Sequence, residues 1–131
     1  YTLSLHDALP ISLAIKGAPY DILFPRCSVI IHHGGAGTTG VSLRSGVPQV
    51  IVAFFTDQPF WAHAMHKIGV GAKPISYYTL KEEDVLEGVK YCESEEVRKK
   101  AQEIGARVKG EDGGKEAARL MEKFLESYGK K

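Results

Sequence analysis

Two short stretches carry residue types that could do chemistry together. The first is Val29-Ile30-Ile31-His32-His33-Gly34-Gly35-Ala36-Gly37-Thr38-Thr39. An apolar, strand-like run enters a glycine-rich turn that opens a helix. Such a turn aims backbone N–H groups and the positive end of a helix dipole at one spot, a seat for phosphate. The second is Phe54-Phe55-Thr56-Asp57-Gln58-Pro59-Phe60-Trp61, which follows the next apolar run. Its carboxylate can accept from two hydroxyls, and its amide can both donate and accept, so the pair can orient a sugar. Together the two stretches fit the holding of a nucleotide-sugar by its diphosphate and its hexose.

The elements that must place these residues follow from local pattern. Cys27 to His32 reads as a strand covered on both faces. After the turn at Gly34–Gly37, Thr38 or Thr39 is a candidate cap for a helix that stops at Gly46, with Pro48 beyond it. Gln49 to Ala53 reads as a second strand. Pro59 suits the first turn of a helix that runs to about Ile68 and closes at Gly69. Val70 to Lys73 is a weak third strand. Thr79-Leu80-Lys81-Glu82 fits a capping box, and the helix after it should turn Leu80, Val85, Leu86 and Val89 to one side. Glu95 to Val108 spaces Val97, Ala101, Ile104 and Val108 as an amphipathic helix. Lys115 to Tyr128 repeats the pattern with Ala118, Met121, Leu125 and Tyr128. Strands alternating with helices imply an α/β fold with a parallel, Rossmann-like, doubly wound sheet. With about three strands and several closing helices, it is expected to be the later part of such a domain.

Size and composition narrow the rest. The chain has 131 residues and a formal net charge of +1, and no basic stripe interleaved with aromatics, so no nucleic-acid partner is expected. Cys27 and Cys92 have no paired spacing, which implies neither a disulfide scaffold nor a zinc ribbon and favours a reducing compartment. Tyr1 to Ser12 resembles the conceptual translation of a sequencing adapter. We therefore divide the chain into a non-native segment, 1–12, and a partial nucleotide-sugar-binding domain, 13–131. A short helix from Leu3 to Leu9 is the other reading of that start.

The same residues admit competing chemistries. Gly35-Ala36-Gly37-Thr38-Thr39-Gly40 is a literal G-x-G-x-x-G after a strand, with Asp57 about 20 residues on, as in a dinucleotide fold. Against it stand the polar His32-His33 strand end, the Gln58 and aromatic pair beside Asp57, and the lack of a second half. A Walker-type loop fails because no lysine precedes Thr38 or Thr39. Adjacent histidines do not converge on one ion, and His63 and His66 are expected as one exposed and one partly packed residue. No metal site is therefore expected.

These residues also carry a resemblance. Val29 to Thr39, with Gly46-Val47-Pro48 and Phe55 to Trp61, resembles the donor signature of UDP-dependent glycosyltransferases of the GT-B fold, and most of all its sterol 3-β-glucosyltransferase branch. Pro19 to Pro25 and Glu111-Asp112-Gly113 resemble that branch too, so the likeness spans Gly17 to Leu125. It implies that His33 contacts the donor diphosphate and that Gly35, Ala36, Gly37 and Thr38 hold it through their amides. It also implies that Asp57 and Gln58 bind the sugar hydroxyls. Trp61 would either shape the sugar pocket or pack under the sheet, and His32 would be structural. Ala53 stands where the family commonly has proline, and Tyr20 and Ile22 replace a frequent histidine and tryptophan. The implied reaction is inverting transfer of a hexose from a UDP-sugar to a sterol, lipid or other small hydroxylated acceptor, without cofactor or metal. No catalytic residue is expected in this chain, because the family's base and acceptor pocket lie in an N-terminal domain. The chain alone is expected to be inactive, and the whole protein cytoplasmic with room for peripheral membrane contact. A non-catalytic nucleotide-sugar-binding module is the alternative.

Overall fold

The computed structural model describes residues 14–128, so the 1–12 segment lies outside the described residues. Along the chain run α1 (Tyr20–Leu23), a 3-10 turn (Phe24–Arg26), β1 (Ile30–His32), α2 (Ala36–Ser45), β2 (Gln49–Ala53), α3 (Gln58–Lys67) and β3 (Ile75–Ser76). A second 3-10 turn (Tyr77–Thr79), α4 (Glu82–Cys92), α5 (Glu95–Lys109) and α6 (Gly113–Tyr128) complete it.

The three strands form one parallel sheet in the order β1-β2-β3. Ile30 pairs with Gln49 and His32 with Ile51, so β1 ends beside Ile51 and β2 runs on to Ala53. Alternate residues of β2 feed opposite faces, as strand geometry requires. Ile51 and Ala53 pack with Ala62 and Met65 of α3 and Ala101 of α5. Val50 packs on the other face with Ile75 and Cys92, backed by Val85 and Val89 of α4. A sheet covered on both faces by helices is the doubly wound arrangement expected from the sequence.

Several boundaries differ from the sequence pattern, each for a local reason. β1 starts at Ile30 rather than Cys27, because the chain leaves Pro25 as a 3-10 turn and Cys27 closes it. Val70–Ala72 makes only an isolated bridge, Gly71 against Gln49. The ladder resumes at Ile75, after Pro74, which has no N–H to offer it. Neither Thr38 nor Thr39 caps α2. The helix begins earlier, with Gly35 as N-cap and no side-chain cap. At α4 the cap moves from Thr79 to Lys81, whose backbone N–H is accepted by the Asp84 carboxylate at 3.0 Å. Of the four residues expected on one side, Leu80 and Leu86 stay exposed, and Val85 and Val89 pack on the core beside the buried Gly88 and Cys92.

Helices α2 and α5 cross closely. A Cβ on Gly105 would fall 2.6 Å from Gly46 Cα and 2.9 Å from the Leu43 carbonyl oxygen. Gly46 ends α2 in the left-handed region, with φ 73°. Gly105 is therefore small because a neighbouring backbone occupies the space a side chain would need.

Candidate functional site

The glycine-rich turn and the Asp57 turn meet at the carboxyl ends of β1 and β2. In open parallel sheets this is where ligands bind. Gly34 joins them. Its φ is +91°, and a Cβ there would lie 2.6 Å from Ile51 Cγ2 and 3.3 Å from the Gln58 carbonyl oxygen. The turn thus rests directly on the start of α3.

His32 fastens the turn from beneath. The Gly34 N–H donates to its Nδ1 at 3.0 Å. That makes Nδ1 an acceptor, so the proton sits on Nε2, which donates to Gln49 Oε1 at 2.8 Å. Burial holds the His32 pKa below the ordinary histidine value against the opposing effect of Gln49, and the nearby charge of His33 adds to the lowering. Both ring nitrogens face inward to protein partners, which fits the structural role expected for His32.

His33 is exposed. Its Nε2 would lie 2.8 Å from a Cβ on Gly35, so the ring stands over the first residue of the helix entrance. There the first internal bond of α2 runs from Thr39 N–H to the Gly35 carbonyl at 2.9 Å. The amides of Ala36, Gly37 and Thr38 have no helical acceptor, as at any helix start, and no side chain replaces one. Added Cβ atoms at Gly37 and Gly40 would meet nothing within 4 Å. Packing within the protein does not require glycine at Gly37 or Gly40, whereas close approach from outside would.

Asp57 lies in the turn before Gln58, the residue on which Gly34 rests. It occupies the N-cap position of α3 but caps nothing with its side chain. Instead Trp61 Nε1–H donates to Asp57 Oδ2 at 2.7 Å, and the Thr56 hydroxyl lies 3.1 Å from Oδ1. The Trp61 bond, then Thr56, draw the Asp57 pKa below the ordinary carboxylate value, and His33 adds to this by its charge. Gln58 is nearly buried. Its Oε1 accepts from Phe54 N–H at 2.8 Å and from Phe55 N–H at 3.3 Å, closing the turn. Its carbonyl end is thus committed to the protein, and its –NH2 is the end with which it can reach a ligand.

The structure brings five of the residues expected from the sequence, His33, Gly35, Ala36, Gly37 and Thr38, to the start of α2 and the other two, Asp57 and Gln58, to the start of α3, with Gly34 packed between the two helix starts. The sequence motifs did not reveal the Trp61 clasp, although its spacing of four residues on a helix was the available signal. Thr56, at φ 59°, and the fully buried Gln49 gave no sequence signal. His63 and His66 are both exposed, and each Nδ1 meets a backbone carbonyl, of Pro59 and Gly71 respectively. A hollow of about 410 Å³ lined by His66, Pro74, Thr79, Asp84, Gly88 and Tyr91, among others, shares no residue with the site.

The fold and the placing of these residues define a parallel α/β unit with a candidate ligand site at its strand ends, and comparison with known proteins gives the family. The chain belongs to the family described as "Erythromycin biosynthesis protein CIII-like, C-terminal domain", which matches residues 3–124. It is 37% identical over 113 residues to a sterol 3-beta-glucosyltransferase of Arabidopsis thaliana, covering 86% of this chain and 18% of that protein. It is 34% identical over 117 residues to O-mycaminosyltylonolide 6-deoxyallosyltransferase of Streptomyces fradiae, covering 88% and 28%. Among solved structures, the spinosyn forosaminyltransferase SpnP matches with a TM-score of 0.72 and 25% identity over 90% of this chain and 32% of that one. The glycosyltransferase SsfS6 of a Streptomyces species, complexed with thymidine diphosphate, matches with a TM-score of 0.59 and 25% identity, covering 81% and 28%. The chain therefore spans less than a third of the length of each of these relatives.

Proposed function

We propose that this chain is the donor-binding portion of an inverting glycosyltransferase that holds a UDP-hexose, with UDP-glucose the expected donor. The single observation that carries the reading is the uncapped, exposed start of α2, with His33 above it and the Asp57-Gln58 turn packed against its entrance through Gly34 at the same end of the sheet. The amides of Ala36, Gly37 and Thr38 would take the diphosphate oxygens, with His33 donating from its ring and the Thr38 hydroxyl adding a further donor. Asp57 and the Gln58 –NH2 would take the hexose hydroxyls.

In the reaction, a base outside this chain would deprotonate the acceptor hydroxyl as it attacks the anomeric carbon. The bond to the diphosphate breaks, and UDP leaves with growing negative charge. Fixed donors at a helix start stabilise such charge, each by about 3 kcal/mol where they are well aimed, so this reading requires no metal ion. The sterol-glucosyltransferase relatives favour a sterol or similar small lipid alcohol as acceptor. Base and acceptor pocket are assigned to an N-terminal domain, so the chain by itself should form no glycoside from radiolabelled UDP-glucose and a sterol.

Calorimetric titration of the full-length protein with UDP, UDP-glucose, thymidine diphosphate and NADH tests the donor reading. UDP and UDP-glucose should bind. His33→Ala should weaken both by about tenfold, the loss of one charge-assisted hydrogen bond. Asp57→Ala should weaken UDP-glucose and spare UDP. Binding of NADH without UDP-glucose would overturn the assignment in favour of a dinucleotide site, and equal loss of both ligands in Asp57→Ala would make Asp57 a structural residue.

A further inference from the structure

We propose that Trp61 is a positioning residue: its indole N–H, assisted by the Thr56 hydroxyl, fixes the Asp57 carboxylate in the orientation that receives the hexose. The proposal rests on the donor reading above for what Asp57 binds, but not for how Asp57 is held.

An aspartate at a helix N-cap ordinarily turns its carboxylate back to accept from an amide in the first turn. Asp57 occupies that position in α3 and forgoes the bond. Its carboxylate turns outward to Trp61, one helical turn further on, at 2.7 Å. The preceding residue has an uncommon backbone as well. Thr56 has φ 59°, a conformation that a β-branched side chain rarely adopts. Strain of this kind persists only where the surroundings over-determine it, and it clusters at working sites. It brings the Thr56 hydroxyl to 3.1 Å from Asp57 Oδ1 while that hydroxyl also lies 2.7 Å from the Phe55 carbonyl. One hydroxyl proton is shared between two acceptors there, so the indole N–H is the firmer of the two holds.

The consequence is geometric. Asp57 is exposed and would otherwise sample several rotamers. With one oxygen tied to the indole and the other beside the hydroxyl, the carboxylate plane is set, and each oxygen keeps lone-pair capacity for a hydroxyl from outside. Phe60 stands edge-on to Trp61 with ring centroids 5.1 Å apart and braces the indole. Trp61 thus acts on the sugar through Asp57. Sequence reading offered it only as a pocket wall or a packing residue.

The test uses Trp61→Phe, which keeps an aromatic ring and removes the N–H, in the full-length protein. Its affinity for UDP-glucose should fall about fivefold, the coupling expected within one hydrogen-bond network, while UDP binding stays within about twofold. Added to Asp57→Ala, Trp61→Phe should cost nothing further, because the group it positions is already gone. The Asp57 carboxyl, identified by its absence in Asp57→Ala and followed by 13C NMR, should titrate at higher pH in Trp61→Phe than in the wild type. Thr56→Ser should match the wild type, since it keeps the hydroxyl. An unmoved Asp57 titration, an additive loss on Asp57→Ala, or equal loss of UDP and UDP-glucose would overturn the proposal. If Asp57→Ala leaves UDP-glucose binding intact, the hexose reading of Asp57 fails, and the titration alone still decides whether Trp61 holds the carboxylate.

Discussion

Helices α5 and α6 are neighbours in sequence and similar in length and pattern, yet they persist by different means. α5 buries Val97, Ala101 and Gly105 against the rest of the unit. α6 buries no residue at all, and Leu120, Met121, Phe124, Leu125 and Tyr128 form an exposed stripe along it. What supports α6 is local. The Asp112 carboxylate accepts from Lys115 N–H at 3.0 Å, and Arg119 Nε donates to Glu116 at 2.8 Å. Both members of that ion pair are more than half exposed, so the pair contributes little. The comparison teaches that an amphipathic period predicts a helix equally well in both cases and does not predict what the apolar side meets.

Breaking the packed side should have the largest effect. Gly105→Ala sets a methyl group against the backbone of Gly46 and Leu43, which no rotamer change can relieve. A loss of about 3 kcal/mol or more is expected in urea unfolding, at the upper end for overpacking. Gly34→Ala comes next. It combines a positive φ with a clash on Ile51 Cγ2, and about 2 kcal/mol is expected, together with weaker UDP binding because the turn must move.

A pH scan sharpens the same contrast. The His32 pKa is lowered in the folded state, chiefly by burial. Its neutral form is the one that accepts from Gly34 N–H. Above the unfolded value, about 6.5, both states are neutral and this contribution is complete. As the pH falls from there toward the folded pKa, the unfolded chain takes up the proton first, so stability declines. The urea midpoint should drop between pH 7.5 and 5.5, and His32→Gln should flatten that drop. The smallest effect belongs to α6. Phe124→Ala should change the unfolding of this segment by no more than about 0.5 kcal/mol, as for a surface substitution. A loss of several kcal/mol would show that α6 is packed against this unit after all.

Much of the site was legible because its signals are local. A glycine turn after an apolar run, and an acid and amide before Pro59, state their geometry within a few residues. Gly46 and Gly69 marked helix ends for the same reason, each with a positive φ. What escaped was set by distant partners or by strain. Gln49 reads as an odd polar start to an apolar strand, and only its register beside β1 brings it to His32. Gly105 looks like a weak spot in α5 until α2 lies against it. Thr56 is an ordinary turn residue by type, and nothing in its type announces its left-handed backbone. The third strand was misplaced because apolar character continues through Val70–Ala72 while the pairing does not.

The crossing of α2 and α5 also fixes one end of the site's helix. Contact is tightest at the far end of α2, at Leu43 and Gly46, whereas the free amides lie at its other end. Ten helical residues make a lever of about 15 Å, so a swing of roughly 4° about the crossing would carry the amide tips by about 1 Å. An offset of that size can cost about a hundredfold in rate. A substitution that opened this crossing would therefore shift the helix start, although both glycines lie at its other end.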